Sequence, residues 1–244
     1  MQTQLNPNDY VGKKQVGKNG NSLTVRLDEL MEFEPMTINQ KKAFDAWDEG
    51  ENLVLAGSAG TGKTFIALYM ALEEFLDPDS FYRKVIIIRS IVPTRDIGFL
   101  PGTMEEKKDA YTIPYKNICT ELFGDKSAWG KLTSSRQLDF ESTSFIRGST
   151  FDDSIIIVDE MQNLTFHELD SVITRVGQNS KIIFCGDYKQ SDFRFQDEKD
   201  GLFKFMNIIE HMKDFTMIQF GWDDIVRSGM VRDYIMTKEM LGID

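Results

Sequence analysis

Cysteine and histidine are scarce in this chain. Cys119 and Cys185 are the two cysteines, and His167 and His211 the two histidines, in 244 residues. Two cysteines so far apart make no disulfide framework, which points to a reducing compartment. Neither cysteine has metal-ligand spacing, and both histidines read as helix-surface residues, so no His/Cys metal site is expected. Long apolar runs are missing as well. None approaches the length of a membrane span, and residues 1–10 are polar, without a signal-peptide core. No membrane partner is expected, and the chain is placed in the cytoplasm. Positive charge is in deficit: 28 Lys and Arg face 39 Asp and Glu, a formal net charge of −11. Such a chain does not coat itself with nucleic acid non-specifically, although a local basic groove could still hold a strand. The hydrophobic content of 41% suffices for a core, in one large domain or one domain with appendages.

What is present is organised around one octapeptide, GSAGTGKT, at residues 57–64. It follows the apolar run NLVLA and precedes FIALYMALEEFL, which reads as a helix until Asp77-Pro78 stops it. Strand, glycine loop and helix, in that order, make G-x-x-x-x-G-K-[ST] a phosphate cradle. Gly57, Gly60 and Gly62 let the backbone wrap tightly and present N–H groups to an anion, with Ser58, Ala59 and Thr61 between them. The following helix adds its unpaired N–H groups and positive dipole end. Lys63 can reach the β and γ phosphates, and the Thr64 hydroxyl can join a Mg²⁺ shell. The loop by itself says nucleoside triphosphate and leaves open what the triphosphate does.

Three further apolar runs read as buried parallel strands, at residues 84–88, 154–158 and 181–185, with a candidate fifth strand at 215–220. Helices are expected at 35–47, with Thr37 as N-cap and Ile38, Ala43, Phe44 and Trp47 on one face, and at 163–176, with Thr165 as cap. Strands alternating with helices predict an α/β fold with a mainly parallel sheet. Residues 1–34 read as a flexible tail with a possible short strand at 22–27. Residues 35–244 read as one domain, interrupted by an irregular insertion at 89–150.

The second chemical feature is Asp159-Glu160, at the end of a buried strand. A carboxylate there holds Mg²⁺ in P-loop proteins, a role that falls to Asp159, and a second beside it can polarise the attacking water, a role that falls to Glu160. Gln190, in GDYKQSD after the next strand, is placed to sense the γ-phosphate or that water. Gln40 precedes the first strand, and its carboxamide suits an adenine edge; a solvent-facing Gln is the alternative. Residues 99–116 mix lysines with aromatics. They suit single-stranded nucleic acid or, equally, a solvated surface excursion.

These pieces occur together with VDEMQN at 158–163, CGDYKQSD at 185–192, IGFLPG at 97–102, FIRGSTF at 145–151 and DIVRSGMV at 224–231. The set resembles the PhoH-like family, phosphate-starvation-inducible P-loop ATPases of bacteria and bacteriophages, similar to the core of superfamily 1 helicases. The resemblance covers residues 35–244 and implies a RecA-like core, ATP and Mg²⁺ as cofactors, ATP hydrolysis, association with RNA, and, for a phage member, the host cytoplasm. It implies an adenine-reading role for Gln40. The chain departs from the family's usual pattern at Ser149, where an Arg is common.

Hydrolysis coupled to nucleic acid is the first functional reading. A P-loop small-molecule kinase and a non-hydrolysing ATP switch are the others. Glu160 and Gln190 favour water as the nucleophile, and the set Lys63, Thr64, Asp159 and Glu160 opposes a passive switch. With one P-loop and no second core, an arginine for the γ-phosphate is expected from a neighbour. The expectation is a homo-oligomeric ring, a hexamer, with Arg227 completing the adjacent site and Arg175 and Arg147 as reserves. A surface salt bridge is the alternative for Arg227.

Overall fold

The computed structural model describes residues 24–91, 104–144, 146, 148, 150–187 and 196–242. Among these residues six strands form one sheet: β1 (Asn52–Gly57), β2 (Lys84–Arg89), β3 (Leu138–Ser142), β4 (Ser154–Val158), β5 (Lys181–Gly186) and β6 (Phe215–Phe220). Their order is β3-β2-β4-β5-β1-β6, and every pairing is parallel. Central strands such as LVLA and IIIV are apolar on both faces because helices cover both. Leu53, Leu55, Val85 and Ile87 face one core with α1 (Ile38–Asp48), α2 (Lys63–Leu76), α3 (Met104–Phe123) and α4 (Ala128–Ser134). Val54, Ala56, Ile86 and Ile88 face the other with α5 (Phe166–Ile173) and α6 (Gln196–Glu210). A last helix, α7 (Gly229–Met240), has no buried residue. This is the RecA-like α/β fold that the sequence predicts. With β5 between β1 and β4, the glycine loop and the Asp159-Glu160 strand end lie one strand apart at the same edge.

The helix caps follow local chemistry. Thr37 Oγ1 accepts from the Gln40 N–H at 3.2 Å. Thr165 and Glu168 form a reciprocal capping box. Buried in α1 are Gln40, Ala43, Ala46 and Trp47; Ile38, expected on that face, is 76% exposed because it lies on the outer side of the first turn. Helix α5 stops at Ile173, short of the expected 176.

The reading of 89–150 as irregular is corrected. That span holds α3, α4 and the edge strand β3. Tyr111, Tyr115, Cys119 and Leu122 recur at helical spacing and are all buried. Pro114 lies within α3 and falls on its exposed side, away from that stripe. In β3, Leu138 and Phe140 turn inward while Asp139 pairs with Lys84 at 2.8 Å. Nor is 22–27 a strand over its described part: residues 27–29 form a 3-10 turn. The tail reading also stops short of residues 24–34. Val25 is buried, with its N–H and carbonyl both bonded to the Gln137 side chain at 3.0 Å. The Phe33 ring lies 5.1 Å from that of Phe65 and 5.6 Å from that of Tyr69. The two cysteines are free and buried, as their apolar surroundings require.

Candidate nucleotide and metal site

The loop after β1 is held in shape by positive backbone angles. Gly57 has φ +131°, and a Cβ there would lie 2.0 Å from the Phe220 carbonyl oxygen, so no other residue fits beside β6. Gly62, at φ +81°, caps the start of α2. A cavity of about 500 Å³ opens over the loop. Gln40, Ala59, Gly60, Gly62, Lys63, Thr64, Asp159, Glu160 and Arg227 all border it. Ser58 and Thr61 are buried in the loop wall, where Thr61 Oγ1 donates to the Ser58 carbonyl at 3.0 Å. Ser58 Oγ donates to Glu239 Oε2 of α7 at 3.1 Å, a contact that ties the last helix to the loop.

Lys63 Nζ donates to the Gly57 and Ser58 carbonyls, each at 2.7 Å. Burial pulls its ammonium below the ordinary value, against the opposing charges of Asp187, Glu160 and Asp159. Thr64 Oγ1 donates to Asp159 Oδ1 at 2.8 Å, which leaves the hydroxyl's lone pairs for a cation. Asp159 is 3% exposed, and its other oxygen, Oδ2, accepts from the Tyr115 hydroxyl at 2.7 Å. Burial, and then the charge of Asp159, push the Tyr115 phenol well above its usual range, which keeps it a donor. Arg89, at the end of β2, lies 5.6 Å from the centre of the Tyr111 ring, and its charge opposes the rise of the Tyr115 phenol.

Glu160 leaves β4 in the left-handed region, at φ 53° and ψ 47°. A non-glycine residue there costs about 1–2 kcal/mol, and the turn sends its side chain to the cavity. Burial, and then Asp159, raise its carboxyl above the ordinary range; Arg89 opposes them. The Gln162 amide donates to Glu160 Oε2 and accepts from the Asp187 N–H at 3.1 Å. Gly186 makes room for that bridge, since a Cβ there would lie 2.4 Å from Gln162 Oε1.

Gln40 is 1% exposed, so the solvent-facing alternative is excluded. Its carbonyl oxygen accepts from the Met36 N–H at 2.8 Å, and its amide donates to the Thr61 carbonyl at 3.1 Å. Arg227 is exposed but lies against the loop of its own chain: its Cγ would be 3.0 Å from a Cβ at Gly60. The Val226 N–H donates to the Gly60 carbonyl at 3.1 Å and fixes that approach. Within its own chain, then, the stem of Arg227 lies beside the nucleotide loop. Arg175 does not line the cavity. Gln190, Arg147 and Ser149 lie outside the described residues, as does 97–102. The stacking role for aromatics of 99–116 is corrected where they are described: Tyr111 is 5% exposed and Tyr115 fully buried. Lys108 and Lys116 pair with Glu141 and Asp109 at 3.5 and 3.0 Å.

Residues 32–238 match the family model described as PhoH-like protein. The chain belongs to the PhoH-like family. It is 33% identical over 202 residues to a PhoH-like protein of Mycobacterium leprae, covering 82% of this chain and 57% of that one. It is 40% identical over 149 residues to protein PhoH2 of Bacillus subtilis, covering 59% of this chain and 34% of that one. The chain spans about half the length of the curated relatives it matches. Among solved structures, the large terminase of a thermophilic bacteriophage, in complex with ADP, aligns with TM-score 0.48 and 14% identity, over 84% of this chain and 50% of that one.

The donor set of this PhoH-like chain suits a nucleoside triphosphate with Mg²⁺. An ammonium and a helix N-terminus serve phosphate, while a hydroxyl and a buried carboxylate serve a hard cation. Among the described residues, no cluster of three His, Cys, Asp or Glu side chains could cage a metal by itself. An ion beside Thr64 and Asp159 would therefore complete its shell with phosphate and water oxygens. Among the described helices, none is long and apolar enough to cross a membrane. Sequence reasoning missed Tyr115, Arg89, Gln162 and Asp187. Gln162 stands within VDEMQN and Asp187 within CGDYKQSD, and both could have been found there; Tyr115 lies in the buried stripe of α3, and Arg89 carries no local signal.

Proposed function

We propose that this PhoH-like chain is a Mg²⁺-dependent ATPase whose hydrolysis is coupled to binding or remodelling nucleic acid, single-stranded RNA foremost. What carries the hydrolysis is the convergence of Lys63 and Thr64 with Asp159 and Glu160 across a separation of 95 residues. Lys63 and the amino end of α2 serve the β and γ phosphates. Thr64 and Asp159 would hold Mg²⁺, which when bound draws charge from the phosphate oxygens. Glu160, raised by burial, accepts a proton from water at the γ-phosphorus. Gln162 orients Glu160 for that transfer. Gln40 has one N–H and one lone pair left after bracing Met36 and Thr61, enough to read an adenine edge. Phe33 and Met36 border the same cavity and would flank the base. Arg227 serves its own site, where its stem lies along Gly60.

Residues 35–244 act as one ATPase unit in this reading, with 24–34 packed on it. Coupling to RNA is supported by the family likeness, and a hexameric ring belongs to the same reading. Phosphate release from ATP without an added acceptor tests the enzyme and separates it from a kinase or a passive switch. Single-stranded RNA is expected to stimulate that release in a salt-sensitive way, more than duplexes do. No phosphate release under any condition would overturn the ATPase. Release that no nucleic acid alters would overturn the coupling alone. Gln40→Ala should narrow the preference for ATP over GTP. Mixing Lys63→Ala with Arg227→Ala subunits checks the arginine: no recovery is expected if Arg227 acts in its own chain, and recovered activity would return it to the neighbour's site.

A further inference from the structure

We infer that Tyr115 is the positioning residue for the metal-site carboxylate, so that α3 helps to set the Mg²⁺ affinity of the nucleotide site. The inference rests on the reading of Asp159 as the metal carboxylate. Asp159 sits at the end of β4 and Thr64 in α2, the two elements that P-loop chemistry needs. Tyr115 comes from α3, which packs beside them, and it reaches Asp159 Oδ2 at 2.7 Å. With Oδ2 tied to the phenol, Oδ1 is turned to Thr64 at 2.8 Å. The carboxylate therefore has one rotation in which both oxygens are bonded. Freed from the phenol, it can rotate away from Thr64, and the Thr64 hydroxyl then loses the partner that aims its lone pairs. Hydrogen bonds behind a metal's ligands act in this way on affinity and geometry.

The phenol is itself fixed. Its ring is fully buried, 5.6 Å from the ring of Phe140 and 6.2 Å from that of Trp129. Arg89, at the end of β2, brings its positive charge to the phenol and lies over Tyr111, one turn earlier in α3. The Tyr115–Asp159 bond thus joins α3 to β4, with the Arg89 guanidinium at the end of β2 beside α3. A tyrosine needed only to satisfy a buried carboxylate would affect stability and leave metal affinity alone, which is the difference the experiment reads.

Tyr115→Phe removes the hydroxyl and keeps the ring packing. Mn²⁺ binding, followed by electron paramagnetic resonance with a non-hydrolysable ATP analogue present, is expected to weaken about tenfold. Binding of the analogue in EDTA is expected to stay at the wild-type level, because the loop and Lys63 are untouched. Arg89→Lys keeps the charge, loses the planar fork and should weaken Mn²⁺ binding by a smaller factor. Asp159→Asn is the control for the site itself. Wild-type Mn²⁺ affinity in Tyr115→Phe, with weakened binding in Asp159→Asn, overturns the inference and leaves the ATPase reading standing. Wild-type affinity in both overturns the metal-site reading, and this inference with it. If circular dichroism shows Tyr115→Phe unfolded, Arg89→Lys decides: weaker Mn²⁺ binding supports the inference and wild-type binding overturns it.

Discussion

At the carboxyl ends of β1, β4 and β5, Asp159 has both oxygens bonded by hydroxyls, and Glu160 takes the Gln162 amide, beside a cavity of about 500 Å³. At the amino ends of β1, β2 and β5 lies a larger cavity of about 1090 Å³. Its walls carry eight carboxylates, from Asp28 to Asp79, against one ammonium, Lys181. The candidate nucleotide site lies at the end with fewer carboxylates. Carboxylates become functional where neighbouring elements bury them and aim donors at them, as Thr64, Tyr115 and Gln162 do. At the opposite end the same residue type serves mainly to keep a surface hydrated and the chain acidic. There Lys181 is the organising group: its Nζ lies 3.6 Å from the centre of the Trp47 ring and bonds the Trp47 carbonyl and Glu74 at 2.9 and 3.0 Å.

The contrast can be broken first at Glu160. Glu160→Gln is expected to cut phosphate release at least about 100-fold while nucleotide affinity, read by equilibrium binding, is kept. Turnover at the wild-type rate would remove Glu160 as the base. Two glycines sharpen the contrast in stability. Gly57 and Gly50 both have positive φ, +131° and +89°, but a Cβ meets Phe220 at Gly57 and nothing within 4 Å at Gly50. Denaturant melts should show Gly57→Ala losing at least about 2–3 kcal/mol and Gly50→Ala about 1 kcal/mol, the backbone strain alone. Equal losses would mean that the approach of β6 to the loop is soft.

At the acidic end, Lys181→Met should cost about 1–2 kcal/mol in the same melts and leave phosphate release unchanged, since it removes a ring contact and one partner of a half-buried ion pair. The smallest effect is expected at Glu73. Burial, above all, raises its carboxyl above the ordinary range, and Tyr69 donates to it at 2.7 Å. For an acid whose folded-state value is raised, ionisation weighs against the fold at neutral pH, and the penalty vanishes as pH falls below the ordinary carboxylate range. Glu73→Gln keeps the acceptor. It should stabilise by no more than about 0.5 kcal/mol at neutral pH, with the gain gone in acid. A loss at neutral pH would show that Tyr69 needs the charge.

The nucleotide loop was legible because its chemistry is contiguous: three glycines, a lysine and a threonine stand within eight residues, and the flanking strand and helix are strongly patterned. The cap at Thr165 closes within one turn and was readable for the same reason. Asp159 and Glu160 could be read because a buried strand ends at them. Helix α3 hid behind Pro114, although its stripe of Tyr111, Tyr115, Cys119 and Leu122 was present to be counted. Strand β3 is short and half charged, and it is a strand only because β2 pairs with it. The tertiary structure alone decided that Tyr115 bonds a carboxylate 44 residues away and that Arg227 lies on its own Gly60. It also decided that Gln40 braces Thr61 across 21 residues. Local pattern fixes which groups a segment offers. Which of them meet depends on the order in which the strands assemble, and no neighbouring residue in the chain records that order.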